Sequence, residues 1–389
     1  MVDNLSLNTT TIPKELSLIL DLLKKEEGQK AAFEGIDWDL LIKLSIHHRL
    51  YPILYSKLKQ VDCPYIPNYV IQTLSNHYKR NTFQMLHLCG EMQTVSELFL
   101  KQDIRLIFLK GPVLAQSLYG DLSLRTSCDL DFLIPIEKLD EAEALLVDLG
   151  YEKDDYIKTV LNDWRWRHHH VTYYHAQKGI KLEIHWRLHP GPGKEQTFDE
   201  LWKHKCTSTL TTKPVYYLGK EDLFLFLITH GARHGWSRLR WLQDIHQLLQ
   251  QDLNISRLAQ ILTKYQYQQV AGKAIILASQ LFNTILTREV EQLIHGERPK
   301  KLAQDTMFYL EKMVNLHTDP VPEDVSRYHK RYLFSLMSFQ QKMLFILSFL
   351  YPYPEDAETL PLPKKLHLLY FPLRPFLWVW RKTRKHALS

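Results

Sequence analysis

Two aspartates in an apolar run are the first residues with types and spacing suited to chemistry. In Asp129-Leu130-Asp131-Phe132-Leu133-Ile134, strand alternation puts Asp129 and Asp131 on one face and Leu130, Phe132 and Ile134 on the other. Neighbouring like charges repel. A divalent cation relieves that repulsion, since Mg²⁺ takes oxygen ligands, usually one or two carboxylates plus substrate phosphates. An exposed strand end or Arg/Lys partners would relieve it too, and the Asp-x-Asp spacing does not choose between them. A second run, Leu182-Glu183-Ile184-His185-Trp186-Arg187-Leu188, alternates in the same way. Glu183, His185 and Arg187 fall on one face. If the two strands are neighbours with polar faces aligned, three carboxylates converge. That number can hold two cations, which steady the attacking and leaving oxygens of a phosphoryl displacement; the alternative is an amphipathic edge strand with an ion pair. A third feature is Lys110-Gly111. Glycine lets backbone approach a phosphate closely, and a following helix N-terminus adds amides and a positive dipole end. Lys110 or Arg125 could neutralise a triphosphate. A plain strand-to-helix turn is the other reading.

The elements that must position these residues follow from periodicity and punctuation. Arg105 to Leu109 reads as a short strand, and Pro112 opens a helix ending at Tyr119. Asp129 to Ile134 is a strand closed by Pro135, and Leu139 to Leu149 is a helix stopped by Gly150. Val171 to Tyr174 and Lys181 to Leu188 form two further strands with a turn at Gly179. Upstream, Trp38 to Leu50, Ile53 to Leu58 and Tyr69 to Leu100 carry apolar stripes at helical spacing. From Lys220 onward the chain predicts helices over 221–235, 238–250, 255–264, 267–284, 287–295, 300–315 and 327–350. Four prolines between 352 and 363 mark a rigid linker before a basic tail. The expected division is an N-terminal helical region (1–101), an α/β core (102–219), a C-terminal helical domain (220–350) and a Pro-rich linker with a basic aromatic tail (351–389).

Composition narrows the classes. Of 389 residues, 45% are apolar and 24% charged, enough to bury a core without staples. Net charge is +6, but residues 364–389 hold seven Lys/Arg and no carboxylate, which leaves the remainder at −1. The body therefore offers no general phosphate-backbone surface, which argues against a nucleic-acid partner. Cys63, Cys89, Cys128 and Cys206 lack metal-ligand spacing and are too scattered for a disulfide scaffold, so a reducing, cytoplasmic setting is expected. Met1 to Thr11 shows no signal-peptide pattern. The most apolar run, Phe334 to Leu350, is broken by Gln340, Gln341 and Lys342, short of the roughly 20 residues a membrane span needs. Phosphate-binding P-loop, dinucleotide-turn, nucleophile-elbow and His-Glu-x-x-His patterns are absent.

Taken together, Phe108-Leu109-Lys110-Gly111, Leu118-Tyr119-Gly120-Asp121, Arg125 and Asp129-Leu130-Asp131-Phe132-Leu133 resemble the signature of an uncharacterised bacterial nucleotidyltransferase family within the polymerase-β-like superfamily. Glu183-Ile184-His185-Trp186 is similar to its third-carboxylate strand. His230-Gly231-Ala232-Arg233-His234, Leu239 to Ile245, and Leu44 to Tyr55 with His47, His48 and Arg49 are similar to its helical parts. The resemblance covers roughly 38–250. It implies an α+β fold: a small mixed-sheet nucleotidyltransferase core flanked by N-terminal helices and a larger C-terminal helical domain. It also implies Asp129, Asp131 and Glu183 as ligands of Mg²⁺ (or Mn²⁺), with an NTP as donor. Where the wider superfamily has a glycine-serine or glycine-glycine pair, this chain has Lys110-Gly111, so Lys110 would replace the serine contact to phosphate.

The resulting expectation is metal-dependent transfer of an NMP group from an NTP to a hydroxyl-bearing acceptor, a small molecule, peptide or protein. Asp129, Asp131 and Glu183 would be catalytic. Lys110, Gly111 and Arg125 would position phosphates, and His185 or Arg187 would orient the acceptor or steady Glu183. His230 and His234, at i and i+4, share a helix face and would line the cleft between sheet and helices or cap buried groups. For Asp244 the plainer reading is packing or Arg pairing. His168-His169-His170 fits a substrate-facing loop or strand entry, since three consecutive histidines cannot all face one metal on a strand. A non-catalytic nucleotide- or partner-binding protein on the same scaffold, or an enzyme acting on RNA ends, are the alternatives. The tail, with Tyr370, Phe371, Phe376, Trp378 and Trp380 among basic residues, could make peripheral contact with an anionic membrane, grip RNA, or pack on the helical domain. Pro372 and Pro375 argue against one continuous helix there.

Overall fold

Seven strands between residues 107 and 217 form one mixed sheet: β1 (Ile107–Phe108), β2 (Asp129–Leu133), β3 (Glu152–Lys153), β4 (His170–His175), β5 (Ile180–His185), β6 (Cys206–Ser208) and β7 (Val215–Tyr217), in the order β3-β4-β5-β2-β1-β7-β6. The computed structural model describes residues 5–24, 33–60 and 65–387; Cys63 lies outside them. The fold is α+β, with helices packed before and after the sheet in the chain.

The pairing of β2 with β5 decides the site. The two strands are parallel, with Asp129 opposite Lys181, Asp131 opposite Glu183 and Leu133 opposite His185. Parallel neighbours need a crossover, supplied here by helix Leu139–Asp148 and the β3–β4 strands. Because both strands alternate in phase, Leu130, Phe132, Leu182 and Ile184 all go to the buried face. The 34-residue helix Asn68–Lys101 covers that face, and Phe99 meets Phe132 edge-on with ring centroids 5.5 Å apart. The acidic residues then take the opposite face. That face looks toward helix Lys220–Arg233, whose residues 222–232 are all buried. One hydrophobic core runs from Ile12 to Leu310 through helices and sheet alike. No helix among the described residues is long and apolar enough to cross a membrane.

Several boundaries differ from the sequence reading for identifiable reasons. The first strand shrinks to Ile107–Phe108. The strand expected over 181–188 stops at His185, because the Trp186 and Arg187 amides both donate to the His169 carbonyl (3.1 and 3.3 Å) and bend the chain out of the ladder. Arg187 thus leaves the strand. β3, β6 and β7, two or three residues each, are too short for a periodicity signal. The segment 327–350 is two helices, Glu323–Leu336 and Phe339–Ser348, separated by Ser338, which caps the second through a reciprocal box with Gln341. The segment 287–295 keeps only the short helix Arg288–Glu291. The tail forms one helix, Tyr370–Ala387, despite its prolines. Pro372 sits in the first turn, where no intrahelical N–H bond is lost, and Pro375 removes only one. Tyr370 and Leu377 anchor this helix on Val160, and Asp356 holds both Arg374 and Arg381.

Candidate active site

The Asp131 carboxylate is fully buried and forms the hub of the acidic face. Lys110 Nζ is 3.0 Å from its Oδ1, and His185 Nε2 is 3.3 Å from the same oxygen. His185 Nε2 also lies 3.6 Å from Glu183 Oε2. Lys181 Nζ sits 2.6 Å from Glu183 Oε1 and 3.9 Å from Asp129 Oδ2. The parallel register therefore brings Asp131, Glu183 and His185 together, with one ligand atom from each within 4.8 Å of the others. Asp129 joins them at the rim through Lys181, with its side chain 26% exposed. His169 and His170 meet His185 in an overlapping group of the same size.

The groups perturb one another in consistent directions. Burial alone would lower the His185 pKa, but its hydrogen bond to Asp131 and the nearby Glu183 carboxylate outweigh burial and raise it. Burial works against ionised Glu183, yet the His185 imidazole 3.6 Å away, with His170 and Lys110, holds its pKa far below the usual carboxylate range. At Asp129, burial and the Asp131 charge win over Lys110 and raise the pKa. Lys110 is held protonated: burial disfavours its charge, but Asp131, Asp129 and Glu183 more than compensate.

Two buried atoms at this hub, Asp131 Oδ2 and His185 Nδ1, have no hydrogen-bond partner. Buried polar atoms are rarely left so. Two carboxylates backed by an imidazole, with an unspent carboxylate oxygen, form a donor set that fits a divalent cation.

Gly111 gives β1 its sharp exit into helix Pro112–Tyr119. Its φ of 85° and ψ of −145° are open in practice only to glycine. A Cβ there would meet Leu130 Cδ2 at 3.3 Å and the Asp129 carbonyl at 3.8 Å. The turn aims Lys110 at Asp131.

These groups open into a cleft of about 600 Å³ between the sheet face and the helices. Besides the carboxylates it contains six cationic side chains: Arg49, Lys110, Lys181, Arg233, Arg238 and Arg240. Among the described residues, none of the four arginines has a carboxylate within ion-pair distance. Instead, hydrogen bonds to uncharged groups hold Arg238 and Arg240 in place. Arg238 Nη1 donates to the His47 carbonyl (3.0 Å), the Arg240 amide to the His48 carbonyl (3.1 Å), and Arg240 Nη1 to Thr126 Oγ1 (2.9 Å). Buried Arg240 Nε has no partner. Burial, with Arg125 nearby, lowers the Arg240 pKa to about 10. Gly231 makes this turn feasible. Trp236 lies against its Cα so closely that a Cβ would be 2.3 Å from the indole, and the folded-back chain then presents Arg238 and Arg240. Arg49 itself has a left-handed φ of 59°.

The other residues singled out in the sequence divide cleanly. His230 and His234 line the cleft, ring centroids 4.7 Å apart, both kept neutral by burial and then by the Lys110 and Arg233 charges around them. Arg125 does not line it. Arg125 is 1% exposed and grips buried Asp244 through Nε (3.0 and 3.2 Å) and Nη2 (3.0 Å), and Tyr119 donates to the same carboxylate at 2.8 Å. Arg187 is also engaged elsewhere. It pairs with Glu195 at 2.8 Å and donates to the carbonyls of Trp166, Gly191 and Gly193. Sequence reasoning gave no role to Lys181 or Arg238, placed Arg49, Arg233 and Arg240 only within motifs similar to the family's helical parts, and gave His169 and His170 a substrate-facing loop or strand entry; both histidines do line the cleft. Alternation in β5 does put Lys181 on the Glu183 face; the arginines have no local signal.

A family model described as uncharacterised nucleotidyltransferase matches residues 34–283, which include every residue of this cleft except His317. No curated protein matches the chain. Among solved structures, MenT4, a nucleotidyltransferase toxin from Mycobacterium tuberculosis H37Rv, is similar at 14% identity with a TM-score of 0.27; the match covers 67% of this chain and 97% of that one.

Proposed function

The chain belongs to that uncharacterised nucleotidyltransferase family, and from this premise we propose that it transfers an NMP group from an NTP to a hydroxyl of its acceptor, releasing pyrophosphate, with a divalent cation held by Asp131 and Glu183. The observation that carries the reading is the β2–β5 register, which sets Asp131 opposite Glu183 on a polar face that opens into a strongly cationic cleft. When bound, the cation would offset charge on the triphosphate and on the departing pyrophosphate. His185 holds both carboxylates in place and keeps Glu183 ionised. Asp129 and Lys181 close the rim. Lys110 replaces a neutral phosphate contact with a charge. Arg49, Arg238 and Arg240 bring guanidinium groups that no carboxylate neutralises, suited to phosphate contacts, taking the role that the sequence suggested for Arg125.

The test is incubation of the pure protein with each α-labelled NTP, Mg²⁺ or Mn²⁺ and a cell extract, with pyrophosphate measured in parallel. Label and pyrophosphate should appear together with wild type and vanish with Asp131→Asn and with chelator. Nucleotide binding without either product would favour a binding-only role.

A further inference from the structure

A second cavity, of about 390 Å³, adjoins the cleft and shares Arg233 and Pro190 with it. The two spaces differ in chemistry. The cleft gathers ionic groups, whereas this cavity is walled by Val270, Leu333, Leu336, Phe345 and the rings of Tyr267 and Tyr353. Its guanidinium of Arg167 is already committed, paired with Asp163 at 2.5 Å and stacked 3.9 Å from the Tyr353 ring centre. A pinned loop borders the cavity, and its Pro190 also lines the cleft. The loop from His189 to Gly193 lines the cavity, and Arg187 pins it by donating to the Gly191 and Gly193 carbonyls, each at 2.8 Å. At the junction, Arg233 Nη1 lies 3.3 Å from His169 Nε2 and Nη2 3.5 Å from His230 Nδ1.

A triphosphate moved into this apolar space would lose its hydration and find few free cations in return. The donor therefore belongs in the cleft, and the cavity is left for a second reactant. Its volume falls at the small end of small-molecule sites, enough for a ring system and far too little for a folded domain or a duplex. Its aromatic walls suit a flat ring. We propose that this cavity seats the body of the acceptor, a small aromatic alcohol or phenol whose hydroxyl passes Arg233 toward the Asp131–Glu183 pair. This rests on the nucleotidyl-transfer reading above. In the reaction the acceptor oxygen bonds to the α-phosphorus as the bond from that phosphorus to the bridging oxygen breaks. Pyrophosphate leaves with the electron pair, and the hydroxyl proton passes to solvent.

The probe is 2-naphthol, with its binding to the full chain measured by calorimetry. Val270→Trp and, separately, Leu336→Trp fill the cavity from two different helices. Each should weaken naphthol binding about tenfold or more, the worth of a buried ring, while affinity for Mg²⁺·NTP stays within about twofold. Leu336 is only half-buried, so its variant keeps the test intact if Val270→Trp does not fold. With α-labelled NTP, 2-naphthol and 2-phenylethanol should take label with kcat/KM at least about tenfold above glycerol, and the filled variants should lose that preference. Naphthol binding that both filled variants retain, or glycerol used equally well, overturns the proposal. The two readings fail separately. Turnover of labelled NTP that is unchanged in Asp131→Asn sinks the transfer reading; transfer that needs Asp131 yet ignores both filled variants sinks this one.

Discussion

Replacing Asp244 by Asn tests whether Arg125 belongs to the framework or to the phosphate site. The pair is almost wholly dry, with side chains 1% and 0% exposed, and is joined by three hydrogen bonds of 3.0–3.2 Å. Asn keeps the shape but removes the charge, leaving the guanidinium buried and uncompensated. Breaking a buried pair in this way costs about 3–5 kcal/mol. Tyr119 loses part of its acceptor as well, which adds up to about 1–3 kcal/mol if its hydroxyl is left unsatisfied. The assay is urea unfolding followed by tryptophan fluorescence. The expected loss for Asp244→Asn is about 3–5 kcal/mol, with an unchanged denaturant slope. The triple variant Arg125→Met/Asp244→Leu/Tyr119→Phe removes every polar member at once. It should return to within about 2 kcal/mol of wild type, because apolar replacement of a whole buried network is often neutral or better. In that triple variant the KM for NTP should move less than about threefold, whereas losing a charged phosphate contact would be worth about 1.5–3 kcal/mol, or roughly 10–100-fold. A loss below about 1 kcal/mol in Asp244→Asn, or a triple variant no better than the single, would refute the reasoning.

Further perturbations separate the remaining roles. Asp131→Asn or Glu183→Gln should lower NMP transfer by about a thousandfold or more, corresponding to the several kcal/mol supplied at a metal-assisted site, with the unfolding midpoint showing that the fold survives. Arg49→Gln and Arg238→Gln should each raise the KM for NTP about tenfold or more and change urea stability by no more than about 1.5 kcal/mol, the worth of the lost Arg238–His47 hydrogen bond; equal KM values would remove these arginines from the phosphate site. Gly111→Ala should destabilise by about 1–3 kcal/mol, from a backbone conformation closed to alanine, and this is measurable by urea unfolding. The His189 pKa is lowered to about 3 by burial, then by the Arg233 and Arg187 charges. Between pH 6.5 and that value the unfolded chain binds the proton that the folded chain refuses, so this contribution is complete above pH 6.5 and falls as pH drops. His189→Gln should flatten the decline in melting temperature between pH 6.5 and 4.5, and an unchanged slope would argue against a neutral, buried His189.

Much of the helical framework was legible locally. The stripes behind helices Asn68–Lys101, Arg240–Leu249 and Ile255–Tyr265 lie within two residues of the segments read from periodicity, because burial of one helix face needs only local spacing. Boundaries failed where a single interaction won over the pattern. The His169 carbonyl captured two amides and ended β5, and Ser338 with Gln341 split one expected helix into two. The tail helix shows the reverse case. Its prolines suggested a break, yet the packing of Tyr370 and Leu377 and the grip of Asp356 on two arginines favour the helix.

The sequence by itself determined which faces of β2 and β5 are acidic, since strand alternation is a property of covalent geometry. It also determined that the chain must turn at Gly111 after the first strand, because Lys110-Gly111-Pro112 leaves few alternatives for the chain. Tertiary structure alone decided that Asp131 faces Glu183 and His185 while Asp129 stays at the rim, that Asp244 takes Arg125 out of the cleft, and that Arg49 joins Arg238 and Arg240 from the other side of the chain. The physical reason is range. Alternation and turn chemistry act over a few residues, whereas a charge is claimed by whichever partner the folded chain brings within a few ångströms, and for Arg125 that partner lies 119 residues away.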